Sequence, residues 1–344
     1  MTGGRGAGGI VRKLLVMLAA AALVSVAAPG IPAAAGSAPR VAPKDDLRIV
    51  TMNVLHGILC PNAPDDCQGD DRIALLGQEL QAAKCPPVVA LQEVAPRTYD
   101  RLTAARWVKP CKYQIVWHNM PLTDRELVLT TLPVTSQKLT ILAGNFRSAY
   151  RVELRSKLGP LVLVVSHQDG DPEPGDPKPC TPADCPPECP SGDTIPDCQT
   201  IQAKAIAGEG GDKRTIRVLT GDFNVTPASR RYQSIVADGW VDSHLAAGNA
   251  ECDPATGAQC TSGRQDMNTD DLKNPASKET ERIDFLFVKA PRNCEVRFDS
   301  PKDRDMDGLG TGLFAAQPAA NGPGGLVYLS DHTGVGADLS CRKG

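Results

Sequence analysis

The sequence predicts an α+β fold built as a four-layer α/β sandwich, with two stacked mixed β-sheets flanked by helices. Short apolar runs typical of buried strands alternate with helical patterns through much of the chain. Residues 113–154 instead read as strands joined by hairpins, so the sheets should be mixed. Because the helices are few and well separated, two sheets packed face to face are the simplest arrangement. The 344 residues, 41% of them hydrophobic, are enough for such a core.

The first 35 residues are typical of a secretory signal peptide. Arg5, Arg12 and Lys13 precede the apolar run 14–28, and small residues follow up to Ala35, after which we expect cleavage. The run is short for a membrane span, so no transmembrane segment is expected in the mature chain, and an uncleaved anchor is the alternative. Residues 36–44 form a Pro- and Ala-rich linker, and a single folded domain should occupy 45–341.

Twelve cysteines, all beyond the signal, fit export to an oxidising compartment where disulfides persist. Cysteines close in sequence are natural partners, and the pairs considered are Cys60 with Cys67, Cys252 with Cys260, Cys85 with Cys111, and Cys294 with Cys341. The connectivity itself cannot be deduced from the sequence.

Net charge argues against a protein that holds nucleic acid by bulk electrostatics. The signal carries three cations and no acids, so its removal changes the formal charge from −3 to −6. Aromatic residues, at 4%, also offer few stacking platforms. No stable complex with nucleic acid is therefore expected, although an enzyme that contacts a phosphodiester briefly through a metal remains compatible with this charge.

The predicted elements of the first half follow from apolar periodicity. A strand over 47–52 ends at Asn53, and Asp70-Asp71 should cap an amphipathic helix over 72–84. A strand over 88–91 ends at Glu93, and a helix should run from 96 to about 106. Strands over 113–117, 127–131 and 150–154 come next, and the strand over 161–165 ends just before His167.

An insertion at 168–198 interrupts this pattern. It is crowded with Pro and Asp and contains Cys180, Cys185, Cys189 and Cys198, so it cannot be a buried element. We interpret it as a disulfide-bonded lid beside His167. Zinc bound by the four cysteines is the alternative, but paired C-x-x-C units are missing.

The second half returns to alternating elements. A helix over 199–209 precedes an apolar strand from Ile216, which delivers Gly221, Asp222 and Asn224. A strand that keeps its period would point Asp222 and Asn224 to the same side. A helix from about 227, a strand over 283–288 and a last strand over 335–339 complete the chain.

Polar side chains suited to phosphate or metal chemistry lie at the ends of these strands. They are Asn53, Glu93, His167, Asp222, Asn224, Asp284, Asp331 and His332. Carboxylate and amide oxygens are hard ligands that suit Mg²⁺ or Mn²⁺. Imidazole accepts a proton near neutral pH, and a carboxylate behind it fixes its tautomer. The set contains what hydrolysis of a phosphate ester requires.

Six motifs follow one another between about 47 and 339: L-R-I-V-T-M-N, V-A-L-Q-E-V, V-V-S-H, T-G-D-F-N-V-T-P, R-I-D-F-L-F-V and S-D-H-T-G-V. In this order they resemble the motifs of the endonuclease/exonuclease/phosphatase superfamily, which includes deoxyribonuclease I, abasic-site endonucleases, bacterial neutral sphingomyelinases and inositol polyphosphate 5-phosphatases. The resemblance implies a deoxyribonuclease I-like fold and one catalytic domain over 45–341.

The resemblance also implies a role for each residue. Glu93 would be the principal ligand of Mg²⁺ or Mn²⁺, assisted by Asn53 and Asp331. His332 would be the general base for the attacking water, oriented by Asp284. Asp222 and Asn224 would position the nucleophile and the phosphate, and His167 would stabilise charge on the phosphoryl oxygens.

Structural alternatives exist for several histidines and acids. Asn53 can simply end a strand in a turn, and Asp284 can pair with Arg282. The remaining histidines, His56, His118 and His244, have no motif support and are interpreted as surface or packing residues.

Two further features of the sequence concern cations. Residues 129–133 lack the Ser-Arg pair that many members carry there, so a basic phosphate contact is missing. Arg147 or Arg151 is the candidate to replace it, although we expect both to be exposed strand arginines. Separately, 303–308 begins like a calcium loop, but Phe314 occupies the position where an EF-hand needs Glu. A structural Ca²⁺ is therefore kept as an alternative.

We predict a secreted, monomeric, metal-dependent phosphoesterase whose substrate is nucleic acid, a phospholipid or a small phosphoester. Nucleic acid is favoured because no long apolar, aromatic hairpin for membrane insertion is evident. A phospholipid or sphingomyelin phosphodiesterase is the first alternative, and a non-catalytic extracellular binding module on the same fold is the second.

Overall fold

Two β-sheets form the centre of the fold, and their facing side chains make its middle layer. The computed structural model describes residues 47–58, 60, 65–118, 125–172, 178–190, 193–264, 269–289, 291, 294–299 and 312–343, with no side chains described at 294–299 and 341–343. The predicted signal peptide, the linker and the calcium-like run 303–308 lie outside the described residues. Residues from Pro43 to Gly344 form one compact unit.

The strands and helices alternate along the chain much as the apolar pattern predicts. The strands are β1 Leu47–Asn53, β2 Val88–Gln92, β3 Gln114–Val116, β4 Leu127–Thr130, β5 Val134–Ile141, β6 Ser148–Ser156, β7 Gly159–His167, β8 Ile216–Asp222, β9 Val241–Asp242, β10 Asp284–Lys289, β11 Cys294–Asp299, β12 Leu313–Phe314 and β13 Gly334–Lys343. The helices are α1 Gly69–Ala82, α2 Pro96–Ala104, α3 Ile195–Gly208, α4 Arg230–Ala237, α5 Ser243–Ala246 and α6 Thr269–Lys273.

Each sheet is mixed, as predicted. The first has the order β11-β13-β1-β2-β4-β3, with β12 paired to β13, and the second has the order β5-β6-β7-β8-β10-β9. In the first sheet β1 and β2 are parallel, and in the second β7 and β8 are parallel. These two parallel pairs matter for function, because the carboxyl ends of parallel neighbours emerge at the same edge of a sheet.

Three apolar clusters separate the four layers. On β1, Ile49 packs between the two sheets, whereas Val50 and Met52 pack against α1 and α2. The outer face of the second sheet packs against α3 and α4 through residues such as Ile206 and Ile235. The predicted sandwich of two sheets with helices outside is confirmed.

Several boundaries differ from the prediction for identifiable reasons. Helix α1 begins at Gly69, one residue before Asp70-Asp71, which lie in its first turn instead of capping it. Helix α3 begins at Ile195, inside the predicted insertion, because Thr194 and Asp197 form a capping box. Strand β5 was not predicted, since its residues are largely exposed and lack an apolar face.

The disulfides follow the short-range pattern. Cys60–Cys67, Cys85–Cys111 and Cys252–Cys260 are bonded as considered from the sequence, and the insertion contains Cys180–Cys185 and Cys189–Cys198. The cysteines of the insertion are therefore used in disulfides and not as zinc ligands. The side chains of Cys294 and Cys341 lie outside the described residues.

Candidate active site

One polar cavity of about 360 Å³ lies where strand ends of both sheets meet. Six of the eight predicted site residues line it, namely Glu93, His167, Asp222, Asn224, Asp331 and His332. The other two, Asn53 and Asp284, are fully buried and hydrogen-bonded to lining residues. The structure therefore brings all eight together.

The first sheet supplies Asn53 and Glu93 from neighbouring parallel strands. Asn53 lies opposite Gln92 in the register of β1 and β2, and Glu93 then turns into the left-handed region with φ 59°. The amide nitrogen of Asn53 donates to Glu93 Oε1 at 2.9 Å and to Asp222 Oδ2 at 3.1 Å, and its oxygen accepts from the N–H of Leu55 at 3.0 Å. Asn53 thereby holds a carboxylate from each sheet.

The second sheet supplies its acids from directly paired positions. Asp222 at the end of β8 lies opposite His167 on β7 and opposite Asp284 on β10. Gly221 permits this approach, because a Cβ there would lie 1.9 Å from the carbonyl oxygen of Ser166. The glycine before the aspartate is thus required by the close contact between β7 and β8.

Asn224 reaches the cavity by a turn and not by strand periodicity. Strand β8 ends at Asp222 and Asn224 has φ 51°, so the strand does not keep its period as far as Asn224, although both side chains line the cavity as expected. The Asp222 carboxylate stabilises the turn by accepting from the N–H of Asn224 at 2.8 Å. The Asn224 amide nitrogen lies 3.0 Å from His167 Nε2 and donates to the carbonyl of Gln168.

His332 and Asp284 form a buried pair that joins the sheets. His332 precedes β13 of the first sheet, and its Nδ1 lies 2.9 Å from Asp284 Oδ2 on the second. Its Nε2 lies 3.7 Å from Asp222 Oδ2. Asp284 contacts this histidine, while Arg282 bonds Asp242 and Glu251, so the alternative pairing of Asp284 with Arg282 is not formed.

Burial and the neighbouring charges shift the pKa values of this pair. Burial lowers the pKa of His332, but the negative charges of Asp284, Asp331 and Asp222 outweigh it and raise that pKa well above its ordinary value. Burial raises the pKa of Asp284 to about 6, although the nearby His332 opposes the shift. The two groups therefore titrate together and not independently.

The S-D-H motif folds around its serine. Ser330 Oγ contacts the carbonyl of Asn53 at 2.8 Å and Asp331 Oδ1 at 3.0 Å, and it accepts from the N–H of His332 at 3.3 Å. This hydroxyl fixes Asp331 and His332 against the end of β1. The three consecutive residues thus act as one structural unit.

Five described residues outside the eight predicted ones also line the cavity: His56, Arg147, Ser262, Arg264 and Ile283. His56 was interpreted as an ordinary histidine, yet its N–H donates to Glu93 Oε2 at 2.8 Å and its Nε2 lies 3.7 Å from the same carboxylate. The sequence places His56 only three residues after Asn53, and this closeness could have indicated that His56 lies at the site. Arg264 lies in a polar loop where no pattern marks it.

Arg147 and Arg151, the two candidates for the missing basic contact, are not the exposed strand arginines that we expected. The Arg147 side chain is 22% exposed, donates from Nε to Asp169 Oδ1 at 2.9 Å, and has Nη1 2.9 Å from His167 Nδ1. Arg151 is buried against Glu153 and the carbonyl of Glu209. Only Arg147 of these two reaches the cavity, and Asp169 of the insertion holds it there.

The described part of the insertion contacts the turn that carries Arg147. In the described part of 168–198 no residue lines the cavity. Asp184 instead accepts from the N–H of Gly144, and Gln199 of α3 bonds both Ala143 and Asp169. These contacts make the described part of the insertion a support for the turn that carries Arg147.

The donor chemistry of the cavity fits a divalent cation. Glu93 and Asp331 present carboxylates to the cavity, with Asp222 beside them and Asp284 behind. These hard oxygen donors are the kind that Mg²⁺ and Mn²⁺ select. Asp222, Asp284 and His332 also place ligand atoms within 4.8 Å of one another, but the last two are already bonded together.

Comparison with known proteins agrees with this geometry. The model of the Endonuclease/Exonuclease/phosphatase family matches residues 50–332. No curated protein sequence matches the chain.

Solved structures show the same fold. The chain is similar to TDP2 from C. elegans (16% identity, TM-score 0.54, 86% of this chain and 75% of that chain). It is similar to D. rerio TDP2 complexed with single strand DNA product (16% identity, TM-score 0.56, 86% and 99%) and to an endonuclease/exonuclease/phosphatase from Bacteroides vulgatus (19% identity, TM-score 0.55, 87% and 100%). At these identities the likeness shows the architecture alone.

Proposed function

The chain belongs to the endonuclease/exonuclease/phosphatase family, and from that premise we propose that it is a secreted, divalent-metal-dependent phosphodiesterase that hydrolyses nucleic acid. One observation carries the proposal: Glu93 and Asp331 of the first sheet line one polar cavity with His332, whose Nδ1 contacts Asp284 of the second sheet. Hydrolysis of a phosphodiester needs charge stabilisation and a proton acceptor at the same phosphorus, and this cavity offers both.

Glu93 and Asp331 are the proposed metal ligands. A bound Mg²⁺ or Mn²⁺ would polarise a phosphoryl oxygen and lower the pKa of a coordinated water. Asn53, assigned to the metal by the family resemblance, directs its amide nitrogen at two carboxylates in this geometry. We therefore propose that Asn53 orients the ligands, as groups behind a metal ligand commonly do.

His332 is the proposed general base for water. Asp284 on Nδ1 fixes the tautomer in which Nε2 is free to accept a proton, and it stabilises the imidazolium that results. Asp222 lies 3.7 Å from Nε2, where a carboxylate can orient the attacking water. The proton passes from water to His332 Nε2 while Asp284 remains ionised.

His167, Asn224 and Arg147 form the proposed phosphate-binding side of the cavity. All three line it, and Arg147 is fixed by Asp169. The guanidinium supplies the positive charge that residues 129–133 lack. Donors held in place before the reaction stabilise charge that develops on phosphoryl oxygens.

Nucleic acid is the proposed substrate because a solved structure with this fold, that of D. rerio TDP2, contains a single strand DNA product. One observation favours a second candidate, a phospholipid phosphodiesterase. Phe146 is 77% exposed and Ile141 40% exposed on the turn beside Arg147, where they could enter a lipid surface. This apolar tip is shorter than the long aromatic hairpin that would be typical of membrane insertion.

Secretion is supported by the five disulfides of the described residues, which suit an oxidising compartment. Within the described chain, no helix has the length and apolar character needed to cross a membrane. Intact-mass analysis of the protein recovered from culture medium tests the proposal. A mass that retains residues 1–35 would contradict the cleavage.

A substrate panel tests the function. The purified protein is stripped with chelator and assayed with Mg²⁺, Mn²⁺ or Ca²⁺ against plasmid DNA, RNA, sphingomyelin vesicles and bis(p-nitrophenyl) phosphate, beside His332→Ala and Asp222→Ala. We expect hydrolysis of nucleic acid and of the chromogenic diester with Mg²⁺ or Mn²⁺, lost in both variants. Hydrolysis of sphingomyelin alone would favour the lipid candidate, and no hydrolysis of any substrate would favour a binding module.

A further inference from the structure

A second cavity, of about 510 Å³, adjoins the catalytic one. Arg264 lines both cavities, so a single guanidinium stands at their junction. The walls of the second cavity include residues 256–259 of the loop closed by Cys252–Cys260, residues 275–279, and Tyr328. It is therefore built largely from loops that follow strand β9 and precede strand β10.

The Arg264 guanidinium is fixed through Nη1, and its Nε is an unused hydrogen-bond donor. The residue is 8% exposed, its Nη1 donates to Glu279 Oε1 at 2.6 Å, and its guanidinium carbon lies 3.7 Å from the centre of the Tyr328 ring. Its Nε has no hydrogen-bond partner in the described structure. A buried cation with an unused donor is costly unless another group satisfies it, as a ligand at the junction would.

The walls of the second cavity are joined to the catalytic strands. Arg282, two residues before Asp284, bonds Glu251 at 2.6 Å through both Nε and Nη2, which anchors the start of the Cys252–Cys260 loop. At the other end of that loop, Ser262 makes a backbone bridge with His332. A group bound in the second cavity is thus held at a fixed position relative to His332 and Asp284.

The two cavities differ in charge. Arg264 and Lys278 line the second cavity, and the one carboxylate among its described lining residues, Glu279, is already bonded to Arg264. The catalytic cavity is rich in carboxylates instead. A cationic site beside a metal-type site suits an anionic group of the substrate, and phosphate is the anion for which a guanidinium fork is best shaped.

We propose that the second cavity binds a second phosphate group of the substrate, next to the one that is hydrolysed, and that Arg264 is the positioning residue that donates to it. This inference rests on the proposed phosphodiesterase function and narrows it to diesters that carry a further phosphate. Such a group is present in a nucleic-acid strand, where phosphates repeat, and in a glycerophosphodiester whose head group is phosphorylated.

Matched substrates that differ by one phosphate test the site. With wild-type protein and Mn²⁺, kcat and KM are measured for a thymidine dinucleotide, for its 5′- and 3′-phosphorylated forms, and for a glycerophosphodiester with and without a phosphate on its head group. We expect one phosphorylated dinucleotide to be preferred by about 10- to 100-fold, mainly through KM, as for a charge-assisted hydrogen bond. A preference confined to the glycerophosphodiesters would identify a head group as the source of the second phosphate.

Arg264→Gln should reduce this preference to about onefold, whatever its effect on the unphosphorylated substrates. Arg214→Gln is the matched control, because Arg214 is exposed and lies before β8, at the opposite end from Asp222. Since Arg264→Gln leaves Glu279 buried without its partner, Ala258→Trp is a second variant that fills the cavity from an exposed wall position. It should weaken the preference without breaking the ion pair.

Equal kcat/KM for phosphorylated and unphosphorylated substrates in the wild type would overturn the inference, as would a preference that survives in both variants. Failure of the proposed function is distinguished by bis(p-nitrophenyl) phosphate, which has no second phosphate. If that diester and the plain dinucleotide are not hydrolysed, the phosphodiesterase proposal itself fails.

Discussion

The two sheets contribute different chemistry to the same cavity. The rim of the first sheet carries Asn53, Glu93 and Asp331, whose oxygen-rich surface suits a divalent cation. The rim of the second carries His167, Asp222 and Asp284, which in the proposed mechanism bind phosphate, orient the attacking water and hold the base His332 of the first sheet. Hydrogen bonds from Asn53 to Asp222 and from His332 to Asp284 cross between them. The site therefore exists only when the sheets are stacked in the correct register.

Metal removal should have the largest effect, since it disables the first rim as a whole. Chelation is expected to lower hydrolysis by on the order of 10³-fold or more, because several kcal/mol of charge stabilisation are withdrawn. Glu93→Gln should require a higher Mn²⁺ concentration for half-maximal activity. Titration of activity with Mn²⁺ measures both effects. Full activity after exhaustive chelation would show that the first rim does not act through a bound divalent cation.

His332→Ala should follow, with a loss of about 10² to 10⁴ in kcat, because the proton acceptor is removed while the proposed metal ligands Glu93 and Asp331 stay in place. Mn²⁺ affinity, measured by calorimetry, should change much less than kcat. His118→Ala is the control, since His118 is exposed and does not line the cavity. Equal losses in both variants would contradict the assignment.

Asp284→Asn should lower kcat/KM by about 10²-fold and shift the pH profile. The charge of Asp284 helps to raise the pKa of His332, so its removal lowers that pKa. Because the proposed base acts when deprotonated, the acidic limb of the kcat/KM profile should move to lower pH. If the acidic limb of the kcat/KM profile stays in place or moves to higher pH, Asp284 does not raise the pKa of the catalytic base.

Asn53→Ala tests the contact that Asn53 makes between Glu93 of the first rim and Asp222 of the second. Loss of the amide that holds Glu93 and Asp222 should weaken Mn²⁺ binding by about 10- to 100-fold, the usual range for groups that orient ligands. Saturating Mn²⁺ should restore most of kcat. Activity that stays low at saturation would mean that Asn53 acts on the reacting groups themselves.

Asp169→Asn should have the smallest effect, because it reaches the second rim only through Arg147. We expect KM to rise less than about tenfold with little change in kcat, as one charged hydrogen bond to the guanidinium is weakened. Asp171→Asn, in the same insertion but paired with Arg231, is the matched control. If the control raises KM equally, the insertion acts through its overall stability and not through Arg147.

Local pattern was sufficient for the long buried strands and for the residues that end them. Asn53, Glu93, His167 and Asp222 each follow a buried apolar run, and such runs are readable because burial of a strand imposes its composition. The S-D-H motif was equally visible. The sandwich, its mixed sheets and the eight candidate residues could therefore be predicted from the sequence.

Tertiary structure decided what depends on contacts between distant segments. Asn224 lines the cavity through a left-handed turn, and Arg147 does so because Asp169 holds it. The described part of the insertion supports this arginine through Asp169. Arg264 reaches the cavity from a polar loop whose sequence has no periodicity, since its position is set by Glu279 and Tyr328. Periodic burial is a local property that a sequence displays, whereas the partner of a loop side chain is chosen by the packing of the whole chain.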